Sequence, residues 1–111
     1  MKKIPEQGDI ILCNFDPTSG HEQAGLRPAL VLSPSAINNL TNLATVCPIT
    51  SKTRGNFFEV ILNNQKTKGF ILTYQITTID YIARKVKIVD KVNVETLREV
   101  VDKINVLIAI S

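Results

Sequence analysis

Apolar and polar positions alternate in short bursts along the first two-thirds of the chain, and then the period changes. Asp9–Phe15 is a short apolar run closed by the turn residues Asp16-Pro17-Thr18-Ser19-Gly20, and it reads as a strand. Ala29–Leu32 is apolar on both faces, the pattern of a central strand, and Ser33-Pro34 ends it. Ser35–Leu40 predicts a short helical turn before Thr41-Asn42. In the next strand, Leu43–Thr50, the residues Leu43, Thr45, Cys47 and Ile49 face one way, and Ala44, Val46, Pro48 and Thr50 the other. Pro48 cannot donate a ladder hydrogen bond, which assigns it to an edge or a bulge. Phe57–Leu62 is a strand with Phe58, Val60 and Leu62 on one face, followed by the turn Asn63-Asn64-Gln65. Gly69–Thr73 and Gln75–Ile79 are strand-like around Tyr74. In Arg84–Val89, Val86 and Ile88 alternate with Lys85 and Lys87, which describes a half-buried strand.

Beyond this point Leu97, Val100, Val101, Ile104, Leu107 and Ile108 recur at helical spacing, predicting an amphipathic helix from Val94 to about Ile108. Asn93 is its expected N-cap, and Glu99 and Lys103 form a favourable pair four residues apart. Many short strands and one terminal helix predict a mainly β fold: a small, strongly bent sheet or partly open barrel with the helix over one opening. Strand order is not legible from the pattern.

Composition narrows the class. The 111 residues, 44% of them hydrophobic, suit one globular domain, residues 1–111, with one modest core. No apolar run approaches the ~20 residues of a membrane-spanning helix. Met1-Lys2-Lys3 starts like a signal peptide, but Ile4–Asp9 supplies no apolar segment after it, so a cytoplasmic protein is expected. Cys13 and Cys47 lie in apolar stretches without the spacing of a zinc site, which predicts inert buried thiols. A net charge of +3 permits a nucleic-acid or acidic-protein partner without identifying one.

Few residues are candidates for chemistry. His21, the single histidine, titrates near neutrality, but its polar loop offers no orienting carboxylate except the adjacent Glu22. Arg27 is more constrained. Pro28 restricts it to extended conformations at the mouth of an interior strand, and its planar, permanently charged fork matches phosphate. It could equally be a structural arginine paired with Glu22 or Asp9. Thr50-Ser51-Lys52-Thr53-Arg54-Gly55 places hydroxyls and cations at a strand end, where they could hold a phosphate or simply form a solvated turn. Phe58 and Phe70 read as core, leaving little for an aromatic stacking platform. Phosphate-loop, dinucleotide and paired-carboxylate motifs are absent from the sequence.

One stretch goes further. "GDIILCNFDPTSGHEQAGLRPALVLSP" (Gly8–Pro34) resembles the signature of the MazF/PemK family of toxin endoribonucleases: Gly-Asp, Asp-Pro-Thr, then Gly-x-Glu-Gln-x-Gly-x-Arg-Pro leading into an apolar strand. "VCPITSKTRGNFFEVIL" (Val46–Leu62), "YQITTID" with Ala83-Arg84, and the terminal "DKINVLI" are similar to further blocks of the same family, so the resemblance covers nearly the whole chain.

It implies an SH3-like, partly open β-barrel with a C-terminal helix, acting as a homodimer. It also implies cleavage of single-stranded RNA, chiefly mRNA, at short specific sequences, with no metal or other cofactor. A cognate acidic antitoxin, MazE-like, would neutralise it by covering the RNA site. The family's functional arginine falls on Arg27 and its functional threonine on Thr50. Its RNA-contacting loop falls on His21-Glu22-Gln23, and the glutamine after the fifth strand on Gln75. With Ser51 and Lys52 from the polar cluster, these are the expected RNA contacts. Many relatives carry an acidic residue just before that glutamine, proposed in some as a general base, where this chain has Tyr74. That shifts the work to Arg27, Thr50 and Glu22. Two other readings stand beside this one: a DNA gyrase poison of the same fold, and a non-catalytic RNA- or protein-binding barrel.

Overall fold

A computed structural model describes residues 3–15 and 25–110. The expected turn Asp16–Gly20 and the loop residues His21, Glu22 and Gln23 lie outside the described residues. Seven strands form one antiparallel sheet among the described residues: β1 (Asp9–Asn14), β2 (Leu26–Val31), β3 (Ala44–Thr50), β4 (Glu59–Asn63), β5 (Lys68–Leu72), β6 (Thr77–Ile79) and β7 (Lys87–Lys91). Two helices complete the order, α1 (Ser35–Thr41) after β2 and α2 (Val94–Ile108) at the end. The sheet runs β4-β5-β3-β2-β1-β7, with β6 also on β3.

The central strands are buried on both faces, as the continuous apolar run in β2 requires. One face presents Ile10, Leu30, Cys47 and Ile49, which meet Val60, Leu62 and Ile71 of β4–β5 and Val100 and Ile104 of α2. The opposite face presents Ile11, Cys13, Ala29, Val31, Ala44 and Val46, covered by Ile79 and Tyr81. Strict alternation along β1, β2 and β3 sorts side chains between the two cores. The sheet thus curls into a half-barrel around the first core, and α2 closes it.

Pro48 does not lie on an edge strand. It pairs with Ala29 of β2, and on its other side β3 changes partner: β6 pairs with residues 44–46 and β5 with Ile49 and Thr50. The missing N–H falls at that change of partner. Expected strand boundaries shift in two places. Thr73–Gln75 is a turn of 3-10 helix, so β6 begins only at Thr77. The strand expected from Arg84 begins at Lys87, because the Asp80 carboxylate accepts the N–H groups of Ile82 (3.1 Å) and Ala83 (2.9 Å) and holds Tyr81–Lys85 in a turn.

α2 starts where expected, with Asn93 Oδ1 accepting the Thr96 N–H at 2.8 Å. It docks more narrowly than its periodicity predicts. Val100 and Ile104 are buried and Leu97 packs beside them, whereas Val101, Leu107 and Ile108 are exposed. Lys103 does not pair with Glu99. Its ammonium donates to the Phe57 carbonyl and lies 4.1 Å from the centre of the Phe57 ring. Phe58 and Phe70 are half-buried rather than core.

Candidate active site

Where β2 begins, β3 ends and β5 begins, the antiparallel ladder brings three strand ends to one rim of the sheet. A cleft of about 210 Å³ opens there, lined by Leu26, Arg27, Pro28, Ile49, Thr50, Ser51 and Lys68. Arg27 is opposite Cys13 in the β1–β2 ladder, and its neighbour Pro28 is opposite Leu12. The backbone of Arg27 is thus pinned inside a strand while its side chain is exposed. Asp9, one alternative partner, is already engaged: its carboxylate accepts the Glu6 N–H (2.8 Å) and faces the Lys91 ammonium (3.4 Å). Among the described residues no carboxylate lies within ion-pair reach of Arg27.

Thr50 faces the same cleft. Its hydroxyl oxygen accepts the Lys52 N–H at 3.2 Å, which leaves the hydroxyl proton free to be donated into the cleft. Gly69 lets β5 approach at this point. At φ +151° a Cβ on Gly69 would run into the Thr50 carbonyl. The segment after Thr50 is held by Glu59, whose carboxylate accepts the Thr53 hydroxyl and the Arg54 N–H, each at 2.6 Å. These bonds, the Thr53 hydroxyl first, hold the Glu59 carboxyl below its usual range. From the other side Lys103 of α2 secures Phe57. At the end of β1, Arg84 donates to the carbonyl of Asn14, the last residue of that strand.

The chemistry available is that of a small anion site: two cations, two hydroxyls and an apolar wall. Of the residues singled out from sequence, Arg27, Thr50 and Ser51 come together. Lys52 is exposed next to them but does not line the cleft, and Gln75 is exposed on the 3-10 turn, also outside it. Tyr74 is half-buried on that turn. Lys68 is the residue that sequence reasoning missed. A lysine before a strand glycine reads as ordinary surface, and only strand pairing brings it beside Arg27. Both thiols are buried, and burial pushes Cys47 up to about 12 and Cys13 in the same direction. Among the described residues no group of three or more His, Cys, Asp or Glu is placed to hold a metal ion.

A curled half-barrel closed by one helix, with a cationic cleft on its rim, defines a small barrel protein with an anion-attracting rim. The chain belongs to the PemK-like, MazF-like toxins of type II toxin–antitoxin systems, whose pattern it matches over residues 6–108. It is 44% identical over 105 residues to the endoribonuclease toxin MazF of Escherichia coli K12, covering 95% of each chain. To the Escherichia coli endoribonuclease PemK it is 38% identical over 114 residues, covering 96% of this chain and 84% of that one. Among solved structures it resembles MazF of Deinococcus radiodurans, with a TM-score of 0.88, 36% identity, and coverage of 98% of this chain and 100% of the other. A chain of a MazE–MazF crystal structure from the same organism gives 0.88 at 34% identity over the same shares.

Proposed function

We propose that this toxin endoribonuclease cuts single-stranded RNA at the Arg27–Thr50 cleft, by attack of a 2′-hydroxyl on the adjacent phosphorus. The observation that carries this reading is the meeting of Arg27 and Thr50 in one cleft. In the reaction the 2′-oxygen loses its proton and bonds to phosphorus. The 5′-oxygen of the next nucleotide leaves with a proton. The products are a 2′,3′-cyclic phosphate and a free 5′-hydroxyl, and DNA, which lacks the 2′-hydroxyl, is spared. Arg27 binds a non-bridging oxygen and stabilises the charge that develops on it. Thr50 donates a second hydrogen bond from a hydroxyl already oriented by Lys52 N–H. His21, Glu22 and Gln23, which precede β2 in the sequence, are the proposed RNA contacts on that side, and Glu22 is the carboxylate that accepts the 2′-proton. Lys52 and Gln75 contact the RNA outside the cleft.

The working form is a homodimer in the cytoplasm, restrained by an acidic MazE-like antitoxin. The likeness to a MazE–MazF structure and the +3 charge support that partner, and among the described residues no helix is long and apolar enough to cross a membrane. Incubation with a long RNA in EDTA, with mapping of the new 5′ ends, tests the reading. Discrete cuts bearing 5′-hydroxyls are expected, and an intact RNA would refute it.

A further inference from the structure

Lys68 reaches the cleft from a hairpin that is anchored only at its two ends. At one end β5 pairs with β3 through Phe70 and Ile71, opposite Thr50 and Ile49. β3 stops at Thr50, so Lys68 and the turn behind it run past the end of the neighbouring strand. The turn does not close down on the strands facing it either. A cleft of about 410 Å³ opens there, lined by Leu12, Pro28, Lys66, Thr67, Lys68 and Val89. The second anchor is on β7. Asn64 donates to the Lys91 carbonyl at 2.9 Å, and its Nδ2 lies 3.5 Å from Asp90 Oδ2. The Asp90 carboxylate also bonds to the Thr67 side chain and attracts the Lys66 ammonium. Asp90 is itself oriented by the Lys91 N–H, 2.8 Å from its Oδ1. β4 and β7 stand at opposite ends of the strand order, so side chains close the half-barrel where no backbone ladder does.

We propose that Asp90 is a positioning residue for RNA: by latching Asn64 and Thr67 to β7 it keeps Lys68 at the Arg27–Thr50 cleft. This rests on the reading that the cleft holds RNA. A lysine gives up much rotamer freedom when it meets a phosphate, and a loose backbone beneath it would add to that loss. Thr67 precedes Lys68 directly, so holding Thr67 removes the added part. Asp90 itself has the wrong charge for RNA. A carboxylate near an anion site opposes binding, so any benefit it brings comes through the groups it holds. The latch therefore makes a prediction opposite in sign to that of simple charge.

The test is fluorescence anisotropy with a mixed-sequence ten-nucleotide 2′-O-methyl oligoribonucleotide, which cannot be cut. Asp90→Asn keeps an acceptor for Thr67 and removes a negative charge from a protein of net charge +3, so it should bind at least as tightly as the wild type. Asp90→Ala carries the same charge without the acceptor. It should bind about fivefold more weakly than Asp90→Asn, with a slope of log K against log salt smaller by up to about 0.7, the share of one single-strand phosphate contact. Asn64→Leu, which removes the donor from the turn and leaves the charge unchanged, should weaken binding in the same way. In a Lys68→Gln background Asp90→Asn and Asp90→Ala should bind alike, because the effect passes through Lys68, whereas a merely structural role would still separate them. Equal affinity of Asp90→Asn and Asp90→Ala, both with native circular dichroism and with Lys68 present, would overturn the proposal alone. A wild-type protein that does not bind the oligonucleotide would refute the reading of the cleft, and the latch proposal with it.

Discussion

Arg27 of β2 and Thr50 of β3 line one cleft, although their strands are paired only from Ala29 and Pro48 inward. The pairing sets the alignment, and the two side chains project past its end. A rigid ladder therefore aims two groups at a space that is itself open to solvent. This is how a site can be preorganised on the rim of a small barrel.

Thr50 is expected to act through its hydroxyl rather than its shape. Thr50→Val, which keeps the volume, should lower kcat/KM for RNA cleavage by ~10²–10³, the usual cost of one preorganised donor. Thr50→Ser should retain most of the activity. Equal rates for the Val and Ser variants, measured on one RNA, would remove the hydroxyl from the mechanism.

Glu59 makes the loop after Thr50 sensitive to acid. Its folded pKa lies below the ordinary 4.5, so its contribution is present above that pH and is lost as pH falls through the folded value. Protection of the Arg54 and Gly55 amides, the slowing of exchange relative to an unstructured peptide at the same pH, should fall as pH drops through the folded Glu59 value in the wild type. In Glu59→Gln protection should be low at every pH and lack that step.

Cys47 acts at the other extreme. Burial raises its pKa from 9.0 to about 12, so the stability held by the neutral thiol is complete below pH 9 and is lost as pH rises towards 12. Urea midpoints should fall across that range in the wild type and fall less in Cys47→Ala. Identical pH profiles would show that the thiol does not contribute.

Gly69 is required by a close approach and by its φ of +151°. Gly69→Ala would press a methyl group on the Thr50 carbonyl. A loss of about 1–3 kcal/mol in chemical unfolding is expected, together with reduced cleavage because Thr50 moves. An unchanged unfolding midpoint would mean that β5 shifts without cost.

Much of this was legible in the sequence, for reasons that differ by element. Ala29–Leu32 announced a central strand because both its faces are apolar; Ala29, Leu30 and Val31 prove buried, and β2 ends at Val31 with Leu32 half-buried. α2 was legible from its 3.6-residue period and from Asn93. Pro48 was misplaced because a pattern shows what a residue cannot donate, not where its strand changes partner. β7 began late because the turn held by Asp80 competes with a good alternating pattern. Phe70 read as core because aromatic residues in short strands usually are, and its exposure depends on which face meets α2. Lys68 was invisible for a similar reason: its importance lies in register with β3, which no local pattern encodes. Arg27 and Thr50 were singled out by resemblance, and strand geometry supplies the physical reason that they meet.

The central claim is that Arg27 serves the cleft and not the fold. The decisive measurement is the initial rate at which Arg27→Ala cleaves a long RNA in EDTA, alongside its thermal unfolding. Because the side chain is exposed and has no carboxylate partner among the described residues, the unfolding midpoint should match the wild type while cleavage falls by at least ~10²-fold. A folded Arg27→Ala protein that cuts at the wild-type rate would contradict the account.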